Sequence, residues 1–308
     1  MATGFVRLRE RERPNDRIKK GKTMFKRILP VIALTLGVTT ISLGQVRQDL
    51  APLTGAAQKA FTYFDQVEGH RFDEFLRRIR PKKLSPGLKV TALNMLSKED
   101  LVDPSDKAQI KLCAIDPVLR YHERDSTIEL KILRVHTAMT AFLAGAAILI
   151  TEPALEILTS EELQAVAAHE LGHEYYWGEF ELARQRQRYL EIQELELRCD
   201  GIGIITLNRL GLNPESLISA IVKLDNHNQQ YGSINSANYI PSEERFRFIR
   251  SMIEMTRAGN NRGAARSEQG RLSEALSNFN KAIGMDSGYA LAYLNRGILL
   301  IDRKIINT

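Results

Sequence analysis

The chain is poor in cysteine, with two in 308 residues, and it has one tryptophan. Cys113 and Cys199 alone cannot build a disulfide framework or a four-cysteine zinc site, and both are read as packing residues. Long apolar runs are scarce as well. A bilayer-spanning helix takes about 20 apolar residues, whereas the longest run here, Ile28 to Leu43, has sixteen. This argues against an enzyme enclosed by several membrane spans. Basic excess is missing from the body of the chain. Residues 1–27 hold ten Lys/Arg against three Asp/Glu, and with +6 on the whole chain residues 28–308 net −1. A body without surplus positive charge argues against nucleic-acid binding.

The basic arm and the apolar run belong together. Met24-Phe25-Lys26-Arg27 is a compact positive segment ahead of Ile28–Leu43, and Ser42-Leu43-Gly44 offers small residues for cleavage after Gly44. This is the pattern of an export signal, with a signal anchor as the alternative and Met24 as a second candidate start. The expectation is an exported, periplasmic or cell-envelope protein that touches the membrane only through this segment.

The chemistry is concentrated in His169-Glu170-Leu171-Gly172-His173, an HExxH motif. On a helix, positions i and i+4 share a face, so both imidazoles reach one metal ion, and Glu170 sits beside the open coordination position. Thr159 and Glu162 form a Thr-x-x-Glu capping box, and Leu163, Val166, Ala167 and Leu171 recur at helical spacing. Glu170 is then the general base of a zinc hydrolase. A catalytic zinc usually takes three protein ligands. The run Arg184 to Asn208 reads as the next helix, stopped by Gly211, and on it Glu196 and Asp200 share a face at i, i+4. Glu196 is the candidate third ligand, and Asp200 the group that orients a ligand histidine through its second ring nitrogen.

HExxH followed by ExxxD resembles the Ste24/HtpX-like zinc metallopeptidases. Thr140-Ala141-Phe142-Leu143-Ala144-Gly145 with Ala146–Thr151 is similar to that family's strand–turn–strand ahead of the metal helix. The resemblance spans roughly residues 85–250. It implies His169, His173 and Glu196 as ligands of one Zn2+, Glu170 as base and Asp200 behind the ligands. The family often carries a His-Pro pair and then an arginine after the second helix. Here Tyr239-Ile240-Pro241 stands in that place, so the candidate donors to a developing oxyanion are Tyr239, His227 and Arg245. His227 reads as a solvated loop residue in the polar run Asp225 to Tyr231.

The remaining segments fit an α+β protein: a mainly helical zincin-type domain with a small β-sheet, then a short tetratricopeptide-type segment. The expected division is 1–44 arm and signal, 45–84 a helical segment packing on or plugging the protease, 85–255 the metallopeptidase, and 256–308 the repeat. Leu50 to Arg80 is amphipathic with Phe61, Phe64, Phe72, Phe75 and Leu76 on one face. Ser97 to Ala108 reads as loop and helix. Asp125 to Val135 reads as a half-exposed strand, and the uncharged Thr137–Ile150 as strand–turn–strand. An edge strand there would let an extended peptide add to the sheet. Helices are expected at Pro214–Asp225 and Ser242–Met255, the latter with Phe246, Ile249 and Ile253 inward. Asn261-Arg262-Gly263 recurs as Asn295-Arg296-Gly297 at the tetratricopeptide period of 34. The repeat segment after the protease resembles the domain order of the BepA type and implies a protein partner. Together these features predict a zinc metalloendopeptidase acting on proteins or peptides in quality control, with a non-catalytic client-binding scaffold of the same fold as the alternative.

Overall fold

The structure, a computed structural model, describes residues 53–66, 72–97, 100–230, 240–268, 270–285 and 290–306. The basic arm and export signal, and Tyr239, lie outside the described residues. No helix among the described residues is long and apolar enough to cross a membrane.

A four-stranded sheet lies on one side. It comprises β1 (Leu101–Val102), β2 (Glu129–Leu133), β3 (Thr140–Leu143) and β4 (Ala147–Thr151), in the order β1-β2-β4-β3. β3 and β4 form the hairpin expected from Thr137–Ile150, while β2 pairs with β4 in parallel. β4, flanked by strands on both sides, is buried along its whole length, and Ala-Ile-Leu-Ile-Thr fits that site. The hairpin turns through the three residues Ala144, Gly145 and Ala146, the first two left-handed (φ 45° and 74°). This leaves β3 at one edge of the sheet. The other edge, β1, falls in the stretch read as loop and helix; two residues carry too little periodicity to reveal a strand.

Two long antiparallel helices carry the motifs. The first, Ser160–Gln185, is started by the predicted capping box: Thr159 N–H donates to Glu162 Oε2 at 2.7 Å and Glu162 N–H to Thr159 Oγ1 at 3.2 Å. The second, Tyr189–Arg209, begins five residues later than Arg184, because the first helix runs on to Gln185 and Gln187 takes a left-handed turn (φ 52°). Gly211 stops it with φ 68°, as expected.

Several further helices pack on this pair. Gly55–Asp65 and Phe72–Ile79 replace the single helix read over Leu50–Arg80, and they place Phe64, Phe72, Phe75 and Leu76 in the main core. Phe64 seats against Gly201, where a Cβ would fall 2.2 Å from its ring. The guanidinium of Arg198 lies 3.9 Å over the Tyr63 ring, further fixing the segment to the second motif helix. Ser216–Gln229 includes His227 in its last turn, so this residue is helical and not in a loop. Ser242–Glu268 buries Phe246, Ile249 and Ile253 and continues unbroken through the expected 255/256 boundary. Leu272–Met285 and Ala290–Ile306 follow, with a separate small core of Ala275, Phe279 and Leu299. Cys199 is a buried packing residue, but Cys113 is exposed at the end of its helix, so the packing assignment fails for it.

Candidate metal centre

The two motif helices meet where their side chains are smallest. A Cβ on Gly172 would lie 2.7 Å from the Cys199 Cα, and one on Gly203 would lie 3.3 Å from the His169 nitrogen. This close approach brings Glu196 across to the two histidines. His169 Nε2 lies 3.5 Å from Glu196 Oε2, and His173 Nε2 lies 3.8 Å from the same oxygen. One ligand atom from each residue lies within 4.8 Å of the others. Tetrahedral zinc with bonds of about 2.0–2.1 Å separates its ligands by roughly 3.3 Å, so the cluster has the spacing of such a site. His169 Nε2 and both Glu196 oxygens are sealed from solvent and lack a hydrogen-bond partner. Leaving each buried polar atom unpaired costs about 1–3 kcal/mol. A divalent cation would satisfy all three, and the donor set of two imidazoles and one carboxylate suits zinc.

Charge within the site is ordered by its surroundings. Burial pushes His173 down to about 4, which leaves its ring neutral and able to ligate. Burial also opposes charge on His169, but Asp200 and then Glu196 outweigh it and raise the ring to about 9. A metal ion held there would have to displace a proton from this ring. Asp200 Oδ1 accepts from His169 Nδ1 at 2.7 Å, which aims Nε2 at the cluster. Asp200 is itself fully buried. Burial would raise its carboxyl, yet Arg245 and His169 bring it down to about 2. Arg245 donates to both its oxygens at 2.8 Å, Nε to Oδ2 and Nη2 to Oδ1.

Glu170 is buried beside the ligands. Its Oε1 accepts from Thr140 Oγ1 at 2.7 Å, while Oε2 has no hydrogen-bond partner and lies 3.9 Å from His173 Nε2. Burial raises its carboxyl above the ordinary range, with His169 and the Thr140 hydroxyl pulling the other way.

The structure thus brings together His169, Glu170, His173, Glu196 and Asp200. Of the three candidate oxyanion donors it brings Arg245 to the site, but as the partner of Asp200. His227 is turned to the His136 carbonyl, 3.2 Å from its Nε2. Sequence reasoning missed Thr140 as the partner of Glu170, although Thr140 heads the strand it had quoted. It also missed the buried Arg124–Glu174 pair at 2.8 Å, next to His173 in sequence. An acidic residue directly after HExxH was a signal that could have flagged that pair.

Residues 107–176 match peptidase family M48. The matched stretch covers the sheet from β2 onward and the whole of HExxH, and it stops short of Glu196 and Asp200. The match makes this stretch similar to a peptidase family that is typically zinc-dependent, and the buried His169–His173–Glu196 group is one that could hold a metal ion. No curated protein and no solved structure matches the chain.

Proposed function

We propose that this protein is a zinc-dependent metalloendopeptidase in which His169, His173 and Glu196 hold the metal and Glu170 is the general base. The observation that carries the reading is the convergence of one ligand atom each from His169, His173 and Glu196, those of His169 and Glu196 buried without a hydrogen-bond partner, with the free oxygen of Glu170 beside them. Zinc bound there would lower the pKa of a water toward about 7 and polarise the scissile carbonyl. Glu170 Oε2 takes the proton of the attacking water and passes it to the leaving amine. Burial, which raises the proton affinity of this carboxyl, suits it to both transfers. Asp200 keeps His169 in the ligating orientation, and Arg245 balances the Asp200 charge. An extended substrate adds to the β3 edge, which lies next to the base.

The place of action we propose is the cell envelope, on the strength of the basic arm and apolar run, with quality control of unfolded proteins as the role. The last helix supports a protein partner, since Leu294, Ile298 and Ile301 recur at helical spacing and are 59%, 49% and 60% exposed. The rival scaffold reading is disfavoured by Glu170, since a protein that only binds clients does not need the base. Dye-labelled casein incubated with the zinc-loaded protein tests the function. Wild type is expected to cut it, and Glu170→Gln to keep its zinc and lose at least about 100-fold in rate. A Glu170→Gln variant that cuts as fast as wild type would falsify the assignment of the base. A wild type that binds casein without cutting it favours the scaffold.

A further inference from the structure

Thr140 stands out as a functional side chain that the sequence reading did not use. It is buried, it heads the edge strand β3, and its hydroxyl donates to Glu170 Oε1 at 2.7 Å across a gap of 30 residues. Its position is fixed from two sides. Thr140 pairs with Ile150 of β4. Just ahead of it, the Asn228 amide brackets Ala138, with Nδ2 donating to the carbonyl at 2.8 Å and Oδ1 accepting from the N–H at 2.7 Å. An amide placed this way occupies the backbone groups of Ala138 as a neighbouring strand would. Met139 N–H is tied to Thr151 Oγ1 at 3.0 Å. The hydroxyl is therefore held in place before any substrate arrives.

A carboxylate has two chemically equal oxygens, and a base that must deliver a proton in one direction needs them made unequal. Thr140 has a single O–H donor. Spending it on Oε1 occupies that oxygen and fixes the carboxylate plane. Oε2, with no hydrogen-bond partner and turned toward His173, remains for proton traffic. We infer that Thr140 is a positioning residue that makes Glu170 a one-sided base, selecting Oε2 for proton transfer. The inference rests on the peptidase reading given above.

The test compares full-length wild type, Thr140→Ser and Thr140→Val, zinc-loaded, on dye-labelled casein. Bound zinc per chain and melting temperature are measured on the same samples. Valine keeps the shape and removes the donor; serine keeps the donor. The expected result for Thr140→Val is a kcat lower by roughly 10- to 100-fold, with KM, zinc content and melting temperature near those of wild type. Thr140→Ser should recover to within about threefold of wild type. Equal rates for wild type and Thr140→Val overturn the inference while leaving the proposed peptidase intact. Loss of zinc or of melting temperature in step with rate also overturns it, because the hydroxyl would then be structural, and so does a serine variant as slow as valine. A wild type that cuts nothing overturns both this inference and the proposed function.

Discussion

Gly172 and Cys199 touch backbone to backbone: a Cβ on Gly172 would sit 2.7 Å from the Cys199 Cα and 3.0 Å from its carbonyl oxygen. The glycine inside HELGH is thus a spacer residue for the helix that brings Glu196. Neither contact is with a flexible side-chain end, so an added methyl can be accommodated only if the helices part.

Gly172→Ala should therefore destabilise the fold, although alanine is the better helix former by about 1 kcal/mol. Overpacking at a rigid contact costs about 1–3 kcal/mol, and parting the helices pulls Glu196 away from the histidines. Urea melts and zinc titration of the variant are expected to show both a lower midpoint and weaker zinc binding. Wild-type values for both would show that the helices can part at no cost.

Glu196→Ala should lose most bound zinc, because it removes one of three ligands and leaves two imidazoles. Metal analysis after dialysis, wild type against variant, reads this directly. Unchanged zinc per chain would remove Glu196 from the site.

Arg245→Leu should leave Asp200 buried and paired only with His169. Removing one partner of a buried ion pair costs about 3–5 kcal/mol, and melting temperature and zinc affinity should fall together. Arg245→Lys should rescue only part of the loss, since the two bonds of 2.8 Å use the fork of the guanidinium. Full rescue by lysine would show that charge alone matters.

Asp225 gives the protein a pH-dependent weakness. It is buried, its Oδ1 has no hydrogen-bond partner, and burial pushes its carboxyl from 3.8 up to about 7, against the pull of Arg245 and Ser242. A carboxyl raised in the folded state binds its proton more tightly there than in the unfolded chain. Its contribution to stability is thus full below about pH 4 and lost as the pH rises through about 7. Asp225→Asn removes that loss. The melting temperature of the variant should gain on wild type steadily from pH 4 to pH 8, and parallel curves would contradict the assignment.

Sequence periodicity reached as far as single helices and hairpins. The i, i+4 spacing of His169 with His173 and of Glu196 with Asp200, the Thr159–Glu162 box and the hairpin before the metal helix are all local, set by 3.6-residue and two-residue repeats. Where the first motif helix ends was less legible. Arg184 to Arg188 is polar on all sides, and the break depends on a left-handed Gln187 that composition does not mark. His227 was misplaced for a similar reason, since its polar neighbours hide a helix that is held by its other face, from Leu217 to Leu224.

The sequence by itself determined which groups the proposed chemistry would use: two histidines, a candidate base, a carboxylate and a partner for a histidine ring, each on a helix whose start or stop is written in neighbouring residues. Tertiary structure alone decided how that chemistry is held. It joined Arg245 to Asp200 across 45 residues and Thr140 to Glu170 across 30, and it left Cys113 exposed while burying Cys199. These pairings depend on how closely whole elements approach. That distance is set by glycines and packed side chains on different segments, and no local repeat in the sequence encodes it.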